Sequence, residues 1–169
     1  MYKKKDMNRL INTVFTLTQV EREKIQEQKL QYKQSRAASV EALKIVQKYR
    51  GWISTDAIHA IAKFLNISSS DLEEVATFYS NIYRQPVGRN IIKYCDSMVC
   101  YVTGYFKIKC ALEQKLRINS GETTIDNRFT LLPACCLGCC DRSPVVMINE
   151  DTHCNLTVEK ILNLLEKYL

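Results

Sequence analysis

The chain has 169 residues, 46% hydrophobic and 25% charged, with a formal net charge of +6. That length fits one domain or two small ones and can bury a core without disulfide staples. The composition is that of a soluble globular chain, and no apolar run approaches the ~18 residues of a membrane span.

The charge is uneven: residues 1–50 carry a net +7 and residues 51–169 a net −1. No basic–aromatic recognition pattern accompanies the basic part, so a solvated helix surface is expected there, not a nucleic-acid partner. Lys3-Lys4-Lys5 imitates the start of a secretory signal, but Asn8, Arg9, Asn12 and Thr13 break the stretch behind it. The first alanine is Ala37, too late for a cleavage site. A cytosolic chain with reduced thiols is expected, so clustered cysteines point to metal or redox chemistry and not to structural disulfides.

In chain order, Thr18-x-x-Glu21 is a capping box ahead of a weakly amphipathic helix over 24–32. Three helical stripes follow: Ala42, Ile45, Val46, Tyr49; then Ile58, Ile61, Ala62, Leu65; then Leu72, Val75, Ala76, Tyr79. Their common i, i+3, i+4, i+7 spacing predicts three amphipathic helices around one core, in an antiparallel bundle. Gly51 ends the first, Ser54 or Thr55 caps the second, and Ser70-x-x-Glu73 offers a capping box for the third. Trp52 is expected to anchor a helix junction. Phe78-Tyr79 is expected to fill the core or a domain interface.

Gln85-Pro86-Val87-Gly88 reads as a linker, giving a helical domain over 1–86 and a second domain over 87–169. The second begins with a strand at Asn90–Cys95. A helix over 103–117 buries Tyr105, Ile108, Leu112 and Leu116. Apolar runs at 129–132 and 145–148 are two further strands. Asn149-Glu150-Asp151 turns into a fourth over 152–156. Thr157 caps a last helix with Ile161, Leu164, Leu165 and Tyr168 on one face. The fold class is α+β: a helical bundle, then a thioredoxin-like sheet whose first two strands are parallel. Pro144 stands where such folds often carry a cis-proline.

Six of the eight cysteines form two groups: Cys95 with Cys100, and Cys135, Cys136, Cys139, Cys140. Both groups follow predicted strand ends, so both loops leave a parallel strand pair on the same side, where α/β sheets bind ligands. Soft thiolates at these spacings suit zinc or an iron–sulfur cluster. Two features favour iron–sulfur: the shared strand-end placement, and the few charges near the second group, which suit a partly desolvated redox centre. Spacing alone allows three pairings in the second group: Cys135/Cys139, Cys136/Cys140 and Cys136/Cys139. The last has the spacing of a thiol-disulfide enzyme, but it follows the second strand instead of the first. Cys110 and Cys154 read as small packing residues.

His59 and His153 are isolated and are not expected ligands. The five glycines lie at least 16 residues apart, so neither a P-loop nor a GxGxxG turn can form. A nucleotide cofactor is therefore expected on another chain.

The chain resembles the thioredoxin-like [2Fe–2S] subunit family of NADH:quinone oxidoreductase (respiratory complex I), its E-subunits. The resemblance rests on Cys95-Asp96-Ser97-x-x-Cys100-x-x-x-Gly104 and on Phe129 through Pro133 followed by Cys136-Leu137-Gly138-x-Cys140. Asp151-Thr152-His153, Arg36-Ala37-Ala38 through Val46, and Val75 through Tyr79 add to it, over roughly residues 18–169. It implies one [2Fe–2S] cluster on Cys95, Cys100, Cys136 and Cys140, with Cys135 and Cys139 outside the ligand set. Cys139 departs from the family, which usually has a small or amide residue there.

The resemblance further implies a redox subunit of a proton-translocating enzyme, without an acid, base or nucleophile of its own. Its cluster exchanges single electrons with a flavin, off the main chain to quinone. FMN and NADH belong to a partner subunit, and other peripheral-arm subunits adjoin. The implied location is the cytoplasmic side of the inner membrane, as a peripheral component. Related chains serve NAD-linked hydrogenases and formate dehydrogenases, and a stand-alone zinc or ferredoxin module is the remaining alternative.

Overall fold

The computed structural model describes residues 15–168. Lys3-Lys4-Lys5 and the polar stretch to Thr13 lie outside the described residues. The chain forms two compact units, Met1–Pro86 and Val87–Leu169.

The first unit is helical: α1 Gln19–Leu30, α2 Ser39–Arg50, α3 Thr55–Leu65 and α4 Ser69–Phe78. The capping box is present. Thr18 Oγ1 accepts from Glu21 N at 3.3 Å, and Glu21 Oε2 accepts from Thr18 N at 2.7 Å. Since an N-cap precedes the first helical residue, α1 starts at Gln19, five residues earlier than the apolar pattern suggested. Gly51 closes α2 at φ +81°, a conformation that side chains with a Cβ resist. Ser54 caps α3. For α4 the expected Ser70 box gives way to Ser68, whose hydroxyl accepts from Asp71 N at 3.0 Å. Ser68, Ser69 and Ser70 all carry a capping hydroxyl, so sequence alone did not fix the register.

Ile25, Ala42, Leu43, Val46, Ile58, Ile61, Leu65 and Leu72 belong to one buried core. The stripes fail at two ends. Tyr49 is exposed and its hydroxyl accepts from Lys24 Nζ at 2.6 Å. Tyr79 lies beyond α4 and is also exposed, as is Phe78 against it in an edge-to-face pair at 5.1 Å. The expectation that Phe78-Tyr79 fills a core is therefore corrected. At the α2–α3 junction Trp52 is only half-buried, whereas the next residue, Ile53, is fully buried and donates its amide to Tyr83 O at 2.8 Å.

The second unit holds a four-stranded sheet in the order β2-β1-β3-β4, from β1 Asn90–Cys95, β2 Phe129–Ala134, β3 Val146–Ile148 and β4 Asp151–His153. β1 runs parallel to β2 and antiparallel to β3. β3 and β4 form a hairpin through Asn149, at φ +55°. β4 stops at His153, short of the expected 152–156, because Asn155 turns to φ +51° and Leu156 N then donates to Pro144 O at 3.3 Å. Three helices complete the unit: α5 Met98–Val102, α6 Tyr105–Leu116 and α7 Val158–Leu165. Ile108 and Leu112 of α6 and Ile161 and Leu165 of α7 share a core with Ile92, Phe129, Leu131 and Ile148 of the sheet.

The architecture is α+β. Gly88 lies inside the second unit instead of in a free linker. Its amide donates to Thr130 Oγ1 at 2.6 Å, and a Cβ there would meet Phe129 backbone atoms at 2.9 Å. The Ser143–Pro144 peptide is cis.

Candidate metal centre

Cys95 ends β1, Ala134 ends β2, and the two are register partners. Asp96 N continues the ladder to Ala134 O at 3.1 Å. Parallel strands end at the same edge, so the two cysteine loops leave side by side.

The first loop is two residues long before α5 begins. Ser97 holds the N-cap position of that helix, yet its hydroxyl makes no capping bond. It lies 3.2 Å from Cys95 Sγ instead. Cys100 is the one buried residue of α5, while Met98, Tyr101 and Val102 around it are 65–77% exposed. Such a helix has no apolar stripe, and sequence periodicity could not find it.

The second loop runs from Cys135 into a 3-10 turn at Cys140–Arg142. Gly138 sits at φ +86° with open space around it, which allows the chain to double back. Cys136 Sγ and Cys140 Sγ consequently stand 3.2 Å apart, and Gly138 N donates to Cys136 Sγ at 3.4 Å. Cys135, Cys136 and Cys140 are exposed, unlike the buried Cys95 and Cys100. The few charges near this loop thus do not reflect desolvation of its own sulfurs.

The four sulfurs form two interacting pairs, Cys95 with Cys100 and Cys136 with Cys140. Each pair holds one thiol below and one above the ordinary range. Burial disfavours the Cys95 thiolate, but hydrogen bonds from Ser97, from the Leu137 backbone and from Cys100 outweigh it and hold that thiol low. Burial and the neighbouring Cys95 push Cys100 up to about 11. The Gly138 amide lowers Cys136, and its neighbour Cys136 raises Cys140. The pairs also feel one another: Cys95 acts electrostatically on Cys136 and Cys140, and Ser97 reaches both Cys95 and Cys136.

Among the described residues, no three His, Cys, Asp or Glu side chains gather tightly enough for one metal ion. A [2Fe–2S] cluster asks for something else, two thiolates on each of two irons. Two adjoining sulfur pairs fit that donor set. Backbone amides of Leu137 and Gly138 already point at sulfur, as donors that tune such a centre do.

The remaining candidates fall elsewhere. His59 Nδ1 bonds to Ser69 Oγ at 2.9 Å in the helical unit. His153 lies on β4, and its Nε2 is buried without a partner among the described residues. Cys136 and Cys139 do not pair as a thiol-disulfide motif would, because Cys136 faces Cys140 whereas Cys139, like Cys154, packs against the cluster of Cys95, Cys100 and Val145. Sequence reasoning missed the place of Cys154 beside the second loop, since that contact depends on the chain path after β4.

The profile of thioredoxin-like [2Fe–2S] ferredoxins matches residues 25–169. The NADH-quinone oxidoreductase E-subunit of Buchnera aphidicola subsp. Acyrthosiphon pisum is 61% identical, over 94% of this chain and 98% of its own. The E-subunit of Escherichia coli K12 is 60% identical, over 91% of this chain and 93% of its own. Among solved structures, an air-oxidised NAD+-reducing [NiFe]-hydrogenase superposes with a TM-score of 0.64 at 23% identity, over 75% of this chain. This chain spans only 22% of that hydrogenase chain, and the likeness is one of fold. The chain belongs to the thioredoxin-like [2Fe–2S] ferredoxin family, among the E-subunits of NADH-quinone oxidoreductase.

Proposed function

We propose that the chain is the electron-transfer subunit of an NADH-oxidising module, with Cys95, Cys100, Cys136 and Cys140 holding one [2Fe–2S] cluster. The observation that carries this reading is the meeting of two sulfur pairs at the shared edge of β1 and β2. When bound, the cluster supplies one-electron transfer. Cys95 and Cys100 anchor it from buried positions, Cys136 and Cys140 close it from the exposed loop, and Ser97 donates to sulfur. No residue of this chain serves as acid, base or nucleophile.

In this reading Met1–Pro86 and Val87–Leu169 are two domains, and the cluster belongs to the second. FMN and NADH sit in a partner subunit, and the assembly is peripheral, on the cytoplasmic side of the membrane. Among the described residues no helix is long and apolar enough to cross a membrane. Exposed apolar side chains on and after α5, namely Met98, Tyr101, Val102 and Phe106, support docking of that partner next to Cys100. Identity near 60% to E-subunits favours this host over a hydrogenase, to which the likeness is of fold alone.

The test is a serine scan in anaerobically prepared protein. Replacement at any of the four positions should abolish or severely alter the EPR signal of the reduced protein. Cys135→Ser and Cys139→Ser should keep it nearly unchanged. Cluster loss in Cys139→Ser together with an unchanged signal in Cys140→Ser overturns the ligand register.

A further inference from the structure

We propose that Tyr105 is a positioning residue for the metal centre: its ring seals Cys95 and Cys100 from water and so sets how firmly that half of the centre holds its metal. The inference rests on the reading that Cys95 and Cys100 are ligands.

The sequence brackets both cysteines with aromatic rings, Tyr94 before Cys95 and Tyr101 after Cys100. Both rings meet Tyr105, the first residue of α6. Tyr94 stacks on it with 6.0 Å between centroids and 11° between planes, and Tyr101 lies at 6.0 Å and 41°. Aromatic pairs attract at such separations. Tyr94 is buried, with its hydroxyl 2.8 Å from Ser120 Oγ, so the row of rings has a fixed inner end. Tyr101 is exposed and forms the outer end.

Among the described residues, Tyr105 alone packs against both buried clusters of the second unit: the sheet core, and the group of Cys95, Cys100 and Val145. Leu137, Cys139 and Cys154 also pack on that group, but each is smaller than a phenol ring. Tyr105 is itself half-buried, so it stands between the cysteines and solvent. Cys95 and Cys100 are each 1% exposed, whereas Cys136 and Cys140 lie open on their loop. The dry half of the centre therefore depends on what covers Cys95 and Cys100, and the largest cover is Tyr105. An apolar shell governs water access and local dielectric, and through them the potential and the lability of a metal centre.

The experiment uses the full chain, loaded with its cluster and in parallel stripped of iron, as native protein, Tyr105→Leu and Tyr105→Phe. Leucine keeps apolar bulk without the ring, and phenylalanine keeps the ring. The iron-free chain is labelled with a maleimide at fixed pH, and tryptic peptides are followed in time by mass spectrometry. Peptide 94–107 reports Cys95 and Cys100, peptide 129–142 the exposed loop, and peptide 110–115 reports Cys110 on the same helix. Tyr105→Leu should speed labelling of 94–107 about tenfold, because less local opening is needed, and should leave the other two peptides unchanged. In the loaded chain the same variant should release iron to the chelator ferrozine about tenfold faster. Its reduction potential should rise, since water stabilises the more negative reduced state. Tyr105→Phe should match native protein throughout. Unchanged labelling, iron release or potential in Tyr105→Leu overturns the proposal. So does a parallel rise at Cys110, the mark of a general loosening of α6, or a Tyr105→Phe variant that behaves like Tyr105→Leu. The two readings fail separately. A native chain that takes up no iron defeats the cluster reading, and labelling of the iron-free chain still decides the seal. A loaded chain in which Tyr105→Leu changes nothing defeats this inference alone.

Discussion

Glu21 and Arg50 form a two-point ion pair, Nε to Oε1 and Nη2 to Oε2, each at 2.7 Å, with Glu21 almost wholly buried. The same carboxylate accepts from Thr18 N in the capping box, so one side chain fixes both the start of α1 and its seat on α2. Removing a partner strands the other charge. Arg50→Ala should destabilise the protein by about 3 kcal/mol in urea titrations, the low end for a buried pair because Arg50 is itself partly exposed. Hydrogen bonding to Arg50 holds the Glu21 carboxyl below its usual range. Its stabilisation is therefore complete above the unfolded-state value of about 4.3 and is lost as pH falls through the lower folded value. Arg50→Ala should flatten this acid limb, and an unchanged limb would refute the assignment.

Ser97 gives up a helix cap to bond Cys95. With Cys95 as a ligand, as proposed, a hydrogen bond to its sulfur favours the more negative, reduced state of the centre. Ser97→Ala should lower the reduction potential by about 20–60 mV, the equivalent of a 0.5–1.5 kcal/mol bond in a one-electron couple. Redox titration followed by EPR measures it, and a rise in potential would contradict the bond's direction.

At Gly88 the obstacle to a side chain is backbone, namely Phe129 N and C at 2.9 Å. Backbone in a strand yields poorly, so Gly88→Ala should cost about 1–3 kcal/mol, as overpacking does. Chemical denaturation checks this, and a neutral substitution would show that β2 gives way.

Val102 is 77% exposed, and its replacement leaves the described core untouched. Val102→Asp should leave the EPR signal of the loaded chain unchanged while weakening co-purification with the proposed flavin-bearing partner at least tenfold. Undiminished co-purification would move the docking face away from α5.

Where residues interact locally, the fold was legible. The strand at Asn90–Cys95 and the caps at Thr18 and Thr157 stand where the sequence pattern put them, and of the two candidates Ser54 and Thr55 it is Ser54 that caps α3. The stripe Ile58, Ile61, Ala62, Leu65 is buried throughout, because all four turn to one side of α3. α5 was not legible, since Met98–Val102 buries only Cys100 and so carries no period. Tyr49 and Tyr79 matched a helical stripe, yet their hydroxyl-bearing rings end in solvent. For the site, two cysteine groups at strand ends were visible in the sequence. The approach of Cys154 to the second loop was not, because it arises from the turn at Asn155, whose amide donates to Arg142 O, and from the loop that folds back at Gly138.

The register of Cys95 on Ala134 has a consequence for how the protein matures. With the proposed ligands, 35 residues lie between the two halves of the metal centre, Cys100 and Cys136, which meet only because β1 and β2 are paired. An unfolded chain offers two separate dithiol fragments, each with half of the donors. Cofactor delivery therefore has to wait for the sheet, so iron loading reports on folding of the second unit. Once loaded, the metal binds only that paired state and drains the unfolded pool by mass action. A substitution far from any sulfur that loosens β1 from β2 would then be seen first as iron deficiency and only later as loss of soluble protein.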